Sequence, residues 1–394
     1  MMKAKNSLAA LAAVAAAMPV NADPVPTEKA ISYRHSEYQE GDIPENRTFS
    51  EVVERYNIEV HQIGYRTPLS GDWYLRSEMQ YETMTGASPM QTYQNSEGQS
   101  VVLMSGASIE EQRFDLKLSP TRYFDGSGRL GADGTLGATL ALSTENDYDS
   151  VAIGTDATLS LFDKHTTLLG SLSVSYDMLS PTDPFLSESR EEADGRVKRS
   201  FSLYEGVSQI INKRTVLQVG GGYTRLTGYL SDPYKFEDRR PGERTQFLID
   251  SRLRRHYKVF AGAALHLDYR YVSDSWGIHS NTFDIAWAQK MSAGGLDIFL
   301  TPSVRYYRQT QASFYSVQAS DNDMFTSSDY RLSSYGAVSA GLEARFVYRG
   351  FQLSVDWQQY SSSEDMMLLQ VPEDEAPALV NYSILSVGIE YRRE

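Results

Sequence analysis

The chain has 394 residues, a formal net charge of −14 and no cysteine. The missing cysteine excludes a disulfide framework, a thiolate metal site and thiol catalysis. The acidic balance makes the chain a poor candidate for binding nucleic acid through a basic face, and we predict no nucleic-acid partner. Its aromatic residues are mainly tyrosine, with 26 Tyr beside 15 Phe and 4 Trp, which suits the aromatic girdles of a membrane barrel.

The first residues have the pattern of a secretory signal peptide. Lys3 and Lys5 form a positive region, residues 8–18 are apolar, and Val20-Asn21-Ala22 resembles a small-residue cleavage site. The apolar run is too short to span a membrane as a helix. We therefore predict a signal peptide over 1–22, an exposed leader over 23–30 and one barrel domain over 31–394.

Apolar and polar residues alternate along most of the remaining chain. A period of two predicts strands that have one apolar and one polar face. We predict sixteen strands if the weakly alternating first one is included, and a count of 14 stays open because boundaries read from one sequence can shift by several residues. The predicted strands are 31–40, 52–66, 72–83, 109–120, 135–145, 150–162, 166–178, 197–211, 215–229, 244–256, 258–274, 276–290, 296–309, 331–348, 351–360 and 379–393. In the eighth, Glu205 falls in phase with Phe201 and Leu203, which predicts a bulge or a change of phase.

The clearest alternation lies in residues 258–274. From Val259 to Tyr271 every second residue is apolar or aromatic, and the polar phase ends in His266, Asp268 and Arg270. This length exceeds the five or six residues usual in soluble sandwiches and matches the roughly 9–11 that a membrane-crossing strand needs. We expect Val259 to Tyr271 to face lipid. The predicted fold class is all-β, an antiparallel up-and-down transmembrane β-barrel.

The connections between predicted strands alternate in length. Those that follow odd-numbered strands are mostly long, whereas those that follow even-numbered strands are short. Outer-membrane barrels have short periplasmic turns and longer extracellular loops, so both termini are expected in the periplasm. We predict a bacterial outer-membrane location, with outer-membrane lipid as a partner.

Six stretches resemble one uncharacterised family of bacterial outer-membrane β-barrels, the domain of unknown function family 3570. They are TGASP at 85–89, SGASIEEQR at 105–113, STENDYDS at 143–150, GYLSDPYK at 228–235, YRYVSDSWGIHSNT at 269–282 and RYYRQTQASFY at 305–315. The resemblance implies an outer-membrane location and supplies no catalytic residue or substrate. Barrels of this type tend to end on an aromatic residue, whereas this chain ends YRRE, which leaves the register of the last strand open.

Charged residues on the polar phase of the strands are the main candidate site. Both signs alternate along single strands, which predicts ion pairs across the lumen wall or, as the sharper alternative, a selectivity ring around a pore. The predicted lumen residues are Arg76, Glu78, Arg113, Asp115, Lys117, Asp250, Arg252, Arg254, His266, Asp268, Arg270, Arg305, Glu343, Arg345 and Asp356.

The predicted extracellular loops are acidic. They would attract cations at the mouth of a pore, or simply be solvated and bridged to surface lipid by divalent ions. The acidic candidates are Asp147, Asp149, Glu191, Glu192, Asp321, Asp323, Glu373, Asp374 and Glu375. None forms the full spaced loop of a calcium site, and no histidine pair has metal-ligand spacing, so we predict no metal and no cofactor.

No catalytic motif stands out. His279 and Ser280 are adjacent on a predicted strand and point to opposite faces, so they cannot act as base and nucleophile. We predict a channel or translocation conduit for a small polar or cationic solute rather than an enzyme. The alternative is a structural sheath for a periplasmic protein partner, such as a redox component or a lipoprotein, that conducts nothing itself. A hydrolase embedded in the barrel is a distant third hypothesis.

Overall fold

The computed structural model describes residues 25–105, 111–126, 132–318, 323–367 and 376–393, so the predicted signal peptide lies outside the described residues. Sixteen antiparallel strands form a closed barrel, which confirms the predicted fold class and strand count. Two further strands form a separate hairpin. The strands are β1 Lys29–Glu40, β2 Asn57–Pro68, β3 Trp73–Thr85, β4 Pro89–Gln94, β5 Ser100–Met104, β6 Glu111–Phe124, β7 Asp133–Glu145, β8 Tyr148–Leu161, β9 Thr166–Leu179, β10 Val197–Asn212, β11 Thr215–Gly228, β12 Glu243–Tyr257, β13 Ala263–Asp274, β14 His279–Ala293, β15 Leu296–Gln309, β16 Tyr335–Tyr348, β17 Phe351–Ser363 and β18 Tyr382–Arg393.

The described helices are short. The α-helix α1 spans Glu188–Ala193, and four 3-10 turns cover Glu45–Arg47, Pro184–Leu186, Tyr330–Leu332 and Glu364–Met366. None of the helices in the described chain has the length and apolar character to cross a membrane.

Each barrel strand pairs with its neighbour in sequence, and β1 pairs with β18 to close the barrel. Because the hairpin β4–β5 stands apart, β3 pairs directly with β6. At the closing seam Ser36 lies opposite Ser386, whose hydroxyl donates to the Ser36 hydroxyl over 2.7 Å. Closure satisfies the backbone N–H and C=O groups of every barrel strand, which is the condition for crossing a bilayer.

The strands turn an apolar face outward. Large side chains such as Ile153, Phe247, Ile285 and Val304 are more than half exposed on this surface. A soluble protein rarely exposes so continuous an apolar surface, whereas lipid accommodates it. Aromatic rings also pair between strands on this face; for example, the centroids of Phe351 and Tyr391 are 4.7 Å apart.

Several predicted boundaries are wrong because residues near the strand ends belong to turns and loops. β13 begins at Ala263, since Phe260 (φ 49°) and Gly262 (φ 120°) form the preceding turn, so Val259 is not a strand residue. Tyr56 and Trp276 are buried among the loops, so β2 and β14 begin after them.

The predicted bulge at Glu205 is also wrong. Register is continuous through this part of β10, and the only shift along its pairing with β11 lies between Ile210 and Asn212. Glu205 therefore points outward together with Phe201 and Leu203. A charged residue on the lipid face near mid-bilayer costs up to a few kcal/mol, so its presence there calls for a physical explanation.

The closing seam can be tested with cysteines because the chain has none. Directly opposed residues have Cα atoms about 4.5–5.5 Å apart, within the range that a disulfide bridges. We expect Ser36→Cys with Ser386→Cys to form a disulfide that keeps the barrel folded in SDS at temperatures that unfold the parent. Ser36→Cys with Val387→Cys is the control, because these side chains point to opposite faces. Equal cross-linking of the two pairs would contradict this register.

Candidate functional site

Two of the cavities in the described part of the chain lie inside the barrel and are lined by many polar side chains. The larger, of about 930 Å³, is lined mainly by β12–β18, and the smaller, of about 790 Å³, mainly by β1–β3 and β6–β10. Arg34 of β1 lines both of them. The smaller cavity has a neutral wall of hydroxyl groups from Ser150, Ser173, Ser175 and Ser200.

All fifteen predicted lumen residues lie on the inward phase of their strands. The smaller cavity is lined by Arg76, Glu78, Arg113, Asp115 and Lys117. The larger one is lined by Asp250, Arg252, Arg254, His266, Asp268, Arg270, Arg305, Glu343 and Asp356. Arg345 lines neither cavity and instead pairs with Glu343 at 3.0 Å.

Most of these charges are paired, either within one strand or between strands that lie close together in the wall. Arg113 contacts Glu82, Asp115 and Glu145 at 3.4, 2.8 and 3.5 Å. Arg254 binds Asp268 through both terminal guanidinium nitrogens. The remaining pairs are Lys117–Glu78 (3.9 Å), Arg252–Asp250 (3.4 Å), Arg305–Asp284 (2.5 Å) and Arg34–Asp356 (3.2 Å). The lumen is therefore close to electrically balanced.

A few lumen groups have no such partner. Within the described chain, Arg76, Arg270, His266 and Asp156 make no hydrogen bond or ion pair through their side chains. They are the polar groups most available to a solute. Sequence reasoning missed Arg34, Asp156 and Asp284; their alternation with small residues in β1, β8 and β14 was the signal that could have identified them.

The long loops at one end of the barrel fold over this lumen and form a lid. We define the lid as the described residues of the β1–β2, β3–β6, β11–β12, β15–β16 and β17–β18 loops together with the β13–β14 turn. One buried apolar cluster joins these segments and includes Ile43, Val102, Trp276, Leu332 and Ala378. The Trp276 indole donates to the Glu243 carbonyl over 2.9 Å and packs edge-on against Phe314 at 5.2 Å.

The lid crosses the mouth of the barrel. Lys235, in the β11–β12 loop, donates to the Pro89 carbonyl in the β3–β6 loop over 2.6 Å. The Phe236 amide donates to the neighbouring Met90 carbonyl over 3.2 Å. Since β7, β8, β9 and β10 lie between these loops in the barrel wall, such contacts must span the opening. Gly86 allows the close fit: at φ 117°, an added Cβ would lie 2.3 Å from the Arg55 carbonyl oxygen.

Five buried charges and the partly buried Arg331 hold the centre of the lid, and we call these six groups the lid ion network: Asp232, Lys235, Asp238, Arg240, Asp329 and Arg331. Arg240 pairs with Asp238 and Asp329, each at 2.7 Å. Arg331 pairs with Asp232 at 2.8 Å and donates to both carboxylate oxygens of Asp329. Three cations face three anions, so the network carries no net charge.

The network also sets the ionisation of its members. Burial alone would raise the pKa of Asp329, but Arg331, Lys235 and Arg240 outweigh it and hold that pKa well below its usual range. The pKa of Asp232 is lowered for the same reason, against burial, by Arg331 and Lys235. Burial lowers the pKa of Lys235. The carboxyl groups of Asp232 and Asp329 therefore stay ionised at neutral pH.

The acidic loop candidates have different environments. Asp147 was expected in a solvated loop but is buried, with 3% of its surface exposed, so that expectation is wrong. Asp149 accepts from the Thr144 hydroxyl over 2.7 Å, while Glu191 and Glu192 lie exposed on α1, and Asp323 is exposed too. Asp321, Glu373, Asp374 and Glu375 lie outside the described residues. No three His, Asp or Glu side chains in the described chain converge as metal ligands.

The closed antiparallel barrel, its apolar exterior and its polar interior together define a transmembrane β-barrel of the outer-membrane type. Several stretches that carry the family resemblance lie in the lid, including Asp232 to Lys235 of GYLSDPYK and Trp276 of YRYVSDSWGIHSNT. The family model described as "Protein of unknown function (DUF3570)" matches residues 3–371, and the chain belongs to that family.

Solved structures similar to this chain include three bacterial proteins. A bacterial polysaccharide outer membrane secretin shares 8% identity at a TM-score of 0.49, covering 94% of this chain and 100% of that one. The siderophore receptor PirA from Pseudomonas aeruginosa shares 10% at 0.42, covering 86% and 57%. CdiB from Acinetobacter baumannii shares 9% at 0.43, covering 92% and 60%. None of the curated proteins compared with the chain matches it.

Asp329→Asn tests the lid ion network. The variant leaves the buried Arg240 and the partly buried Arg331 with too little negative charge, and breaking a buried pair such as Arg240–Asp329 costs about 3–5 kcal/mol. We expect trypsin to cut the β11–β12 loop, at Lys235, Arg239 or Arg240, on the order of a hundredfold faster than in the parent. Asp323→Asn is the matched control, since this exposed aspartate lies outside the network. Equal cleavage of the two variants would contradict the assigned role.

The lid should also respond to acid in a defined direction. The folded-state pKa values of Asp329 and Asp232 are depressed, so their stabilisation is complete above an unfolded pKa of about 4 and is lost as pH falls through the folded values. In a variant with Trp73, Trp287 and Trp357 replaced by Phe, we expect Trp276 emission to stay constant from pH 7 to about 4 and to shift red below that. A red shift already complete at pH 5 would be inconsistent with the depressed pKa values.

Proposed function

We propose that the protein is a lidded conduit for a small polar solute across the outer membrane and that it is not an enzyme. One observation carries this proposal: a polar lumen with two cavities of about 790 and 930 Å³ lies beneath a lid of folded loops. Barrels of 16 to 18 strands are wide enough to leave an aqueous channel, unlike small barrels that side chains fill.

The electrostatics of the lumen bear on the class of solute. Most charged side chains are neutralised by partners of opposite sign, so the residues that the structure describes form no single-sign ring of the kind that selects ions. A neutral or zwitterionic polar solute would lose little hydration free energy on entering such a lumen, because paired charges and hydroxyl groups can replace its hydrogen bonds to water. This balance supports a polar solute more strongly than a cationic one.

The presence of the lid favours the hypothesis of a gated conduit and disfavours that of a permanently open pore. Its contacts span the mouth, and its centre is held by charges that water would solvate well if the loops separated. We propose that passage requires displacement of the lid, driven by the solute or by a partner protein. A periplasmic partner stays part of the proposal and would act from the end that carries the short turns.

Conductance of the refolded chain in a planar bilayer tests the proposal. We expect rare openings for the parent and an open probability on the order of a hundredfold higher for Asp329→Asn, because losing about 3 kcal/mol of lid stability changes the equilibrium by that factor. Asp323→Asn should behave like the parent. In a salt gradient, cation and anion permeabilities should differ by no more than about twofold, as expected for a charge-balanced lumen.

The opposite result would be equally informative. If proteolysis shows that the lid of Asp329→Asn is released while the inserted barrel stays electrically silent, the conduit proposal fails. The structural sheath around a periplasmic partner would then be the better hypothesis.

A further inference from the structure

Glu205 lies on the outer face of β10, away from the lumen and the lid. It is the fourth of the seven outward positions of β10 that run from Arg199 to Ile211, which places it near the middle of the bilayer. The side chain is exposed on the lipid face, and within the described chain it makes no hydrogen bond or ion pair. An ionisable group at this depth must either be protonated or find a partner in the membrane.

The outer surface beside Glu205 is recessed, because small residues flank it on both neighbouring strands. Its Cα partners on the two adjacent strands are Gly170 of β9 and Gly221 of β11. A Cβ added to Gly170 would meet nothing within 4 Å, so the space beside the carboxyl is open. Larger residues border this row, Leu203 on one side and Val207 on the other. The carboxyl therefore lies in a shallow trough that crosses the strands.

Glu205 cannot be satisfied from the lumen. On the inner side of the wall Tyr204 covers Gly220, where an added Cβ would lie 2.1 Å from the tyrosine oxygen. The Tyr204 hydroxyl donates to Asp250 over 3.0 Å, which fixes the ring in this position. The Tyr204 ring thus closes the inner face of the wall at this point. A partner for Glu205 must therefore come from the membrane side.

The described strands place no lysine or arginine on the outer surface at that depth, and the two outward-facing histidines near mid-strand, His35 and His61, already contact Glu37 at 3.2 Å and the Tyr33 hydroxyl at 2.8 Å. In the described strands, the outward-facing arginines lie near strand ends, toward the membrane interfaces: Arg122, Arg199, Arg225, Arg255, Arg308 and Arg393. A contact between two copies in the same membrane therefore cannot pair Glu205 with an arginine of the other copy at mid-bilayer.

We propose that Glu205 and its glycine-floored trough form a two-fold contact between two copies of this chain. A two-fold axis along the membrane normal brings each residue beside its own counterpart at the same depth. Two carboxyl groups sharing at least one proton are complementary as donor and acceptor, so Glu205 can pair with Glu205. The flanking glycines let the two barrel walls approach closely, as small residues do between membrane helices.

Cross-linking tests this contact in the full chain, which has no cysteine of its own. Leu203→Cys and Val207→Cys, made separately, place a thiol on either side of Glu205. In native membranes we expect a short bifunctional maleimide to join each of them into a product of twice the monomer mass. Leu353→Cys is the control, because it is outward-facing on the distant strand β17 and should stay monomeric.

Substitution of Glu205 separates the carboxyl contact from chance collision. Glu205→Gln should keep most of the cross-linking, because an amide also donates and accepts, whereas Glu205→Leu should lower it at least tenfold. Leucine is compatible with lipid, so folding of that variant can be verified by its migration in SDS before and after heating. Cross-linking that is unchanged in Glu205→Leu, no product from either thiol, or a product with a different protein would each overturn the proposal.

Discussion

The structure depends above all on satisfying backbone hydrogen bonds where no water is present. In lipid, an unpaired N–H or C=O group costs several kcal/mol, so the sheet must close on itself. The pairing of β1 with β18 performs this closure and places the two ends of the described chain beside each other. Once the sheet is closed, the two-residue period decides everything else about the wall: one phase meets lipid and the other meets the lumen.

That division explains how far the sequence was informative. Alternation such as Leu265, Leu267 and Tyr269 against His266 and Asp268 predicts strand, face and depth together, because each property follows from the same local period. The inward direction of residues such as Arg113 and Asp250 could be predicted for the same reason. Their ion-pair partners were harder to predict from the sequence. A pair such as Arg34–Asp356 joins β1 to β17 across the closing seam, which a local sequence pattern cannot locate.

The lid was not predictable in the same way. Its network links Asp232 and Arg240 to Asp329 and Arg331, residues nearly a hundred positions apart in loops that have no periodicity. The acidity of the loops in general led us to expect attraction of cations or simple solvation, whereas the carboxylates of this network are buried and paired with arginines. Glu205 shows the converse error: the pattern was followed correctly, but the assumption that a charge cannot face lipid led to a bulge that is absent.

The choice of charges at the centre of the lid has a physical consequence. Opening a lid with a purely apolar centre would cost free energy, because its apolar surface would be exposed to water. Ion pairs differ because the separated charges regain their hydration, so the net stability of a buried network is small even when breaking one member is costly. A balanced network of three cations and three anions can therefore hold the loops in one arrangement without making their displacement prohibitive. Under the proposed function, this combination of specific geometry and modest net stability is what a lid that must open repeatedly requires.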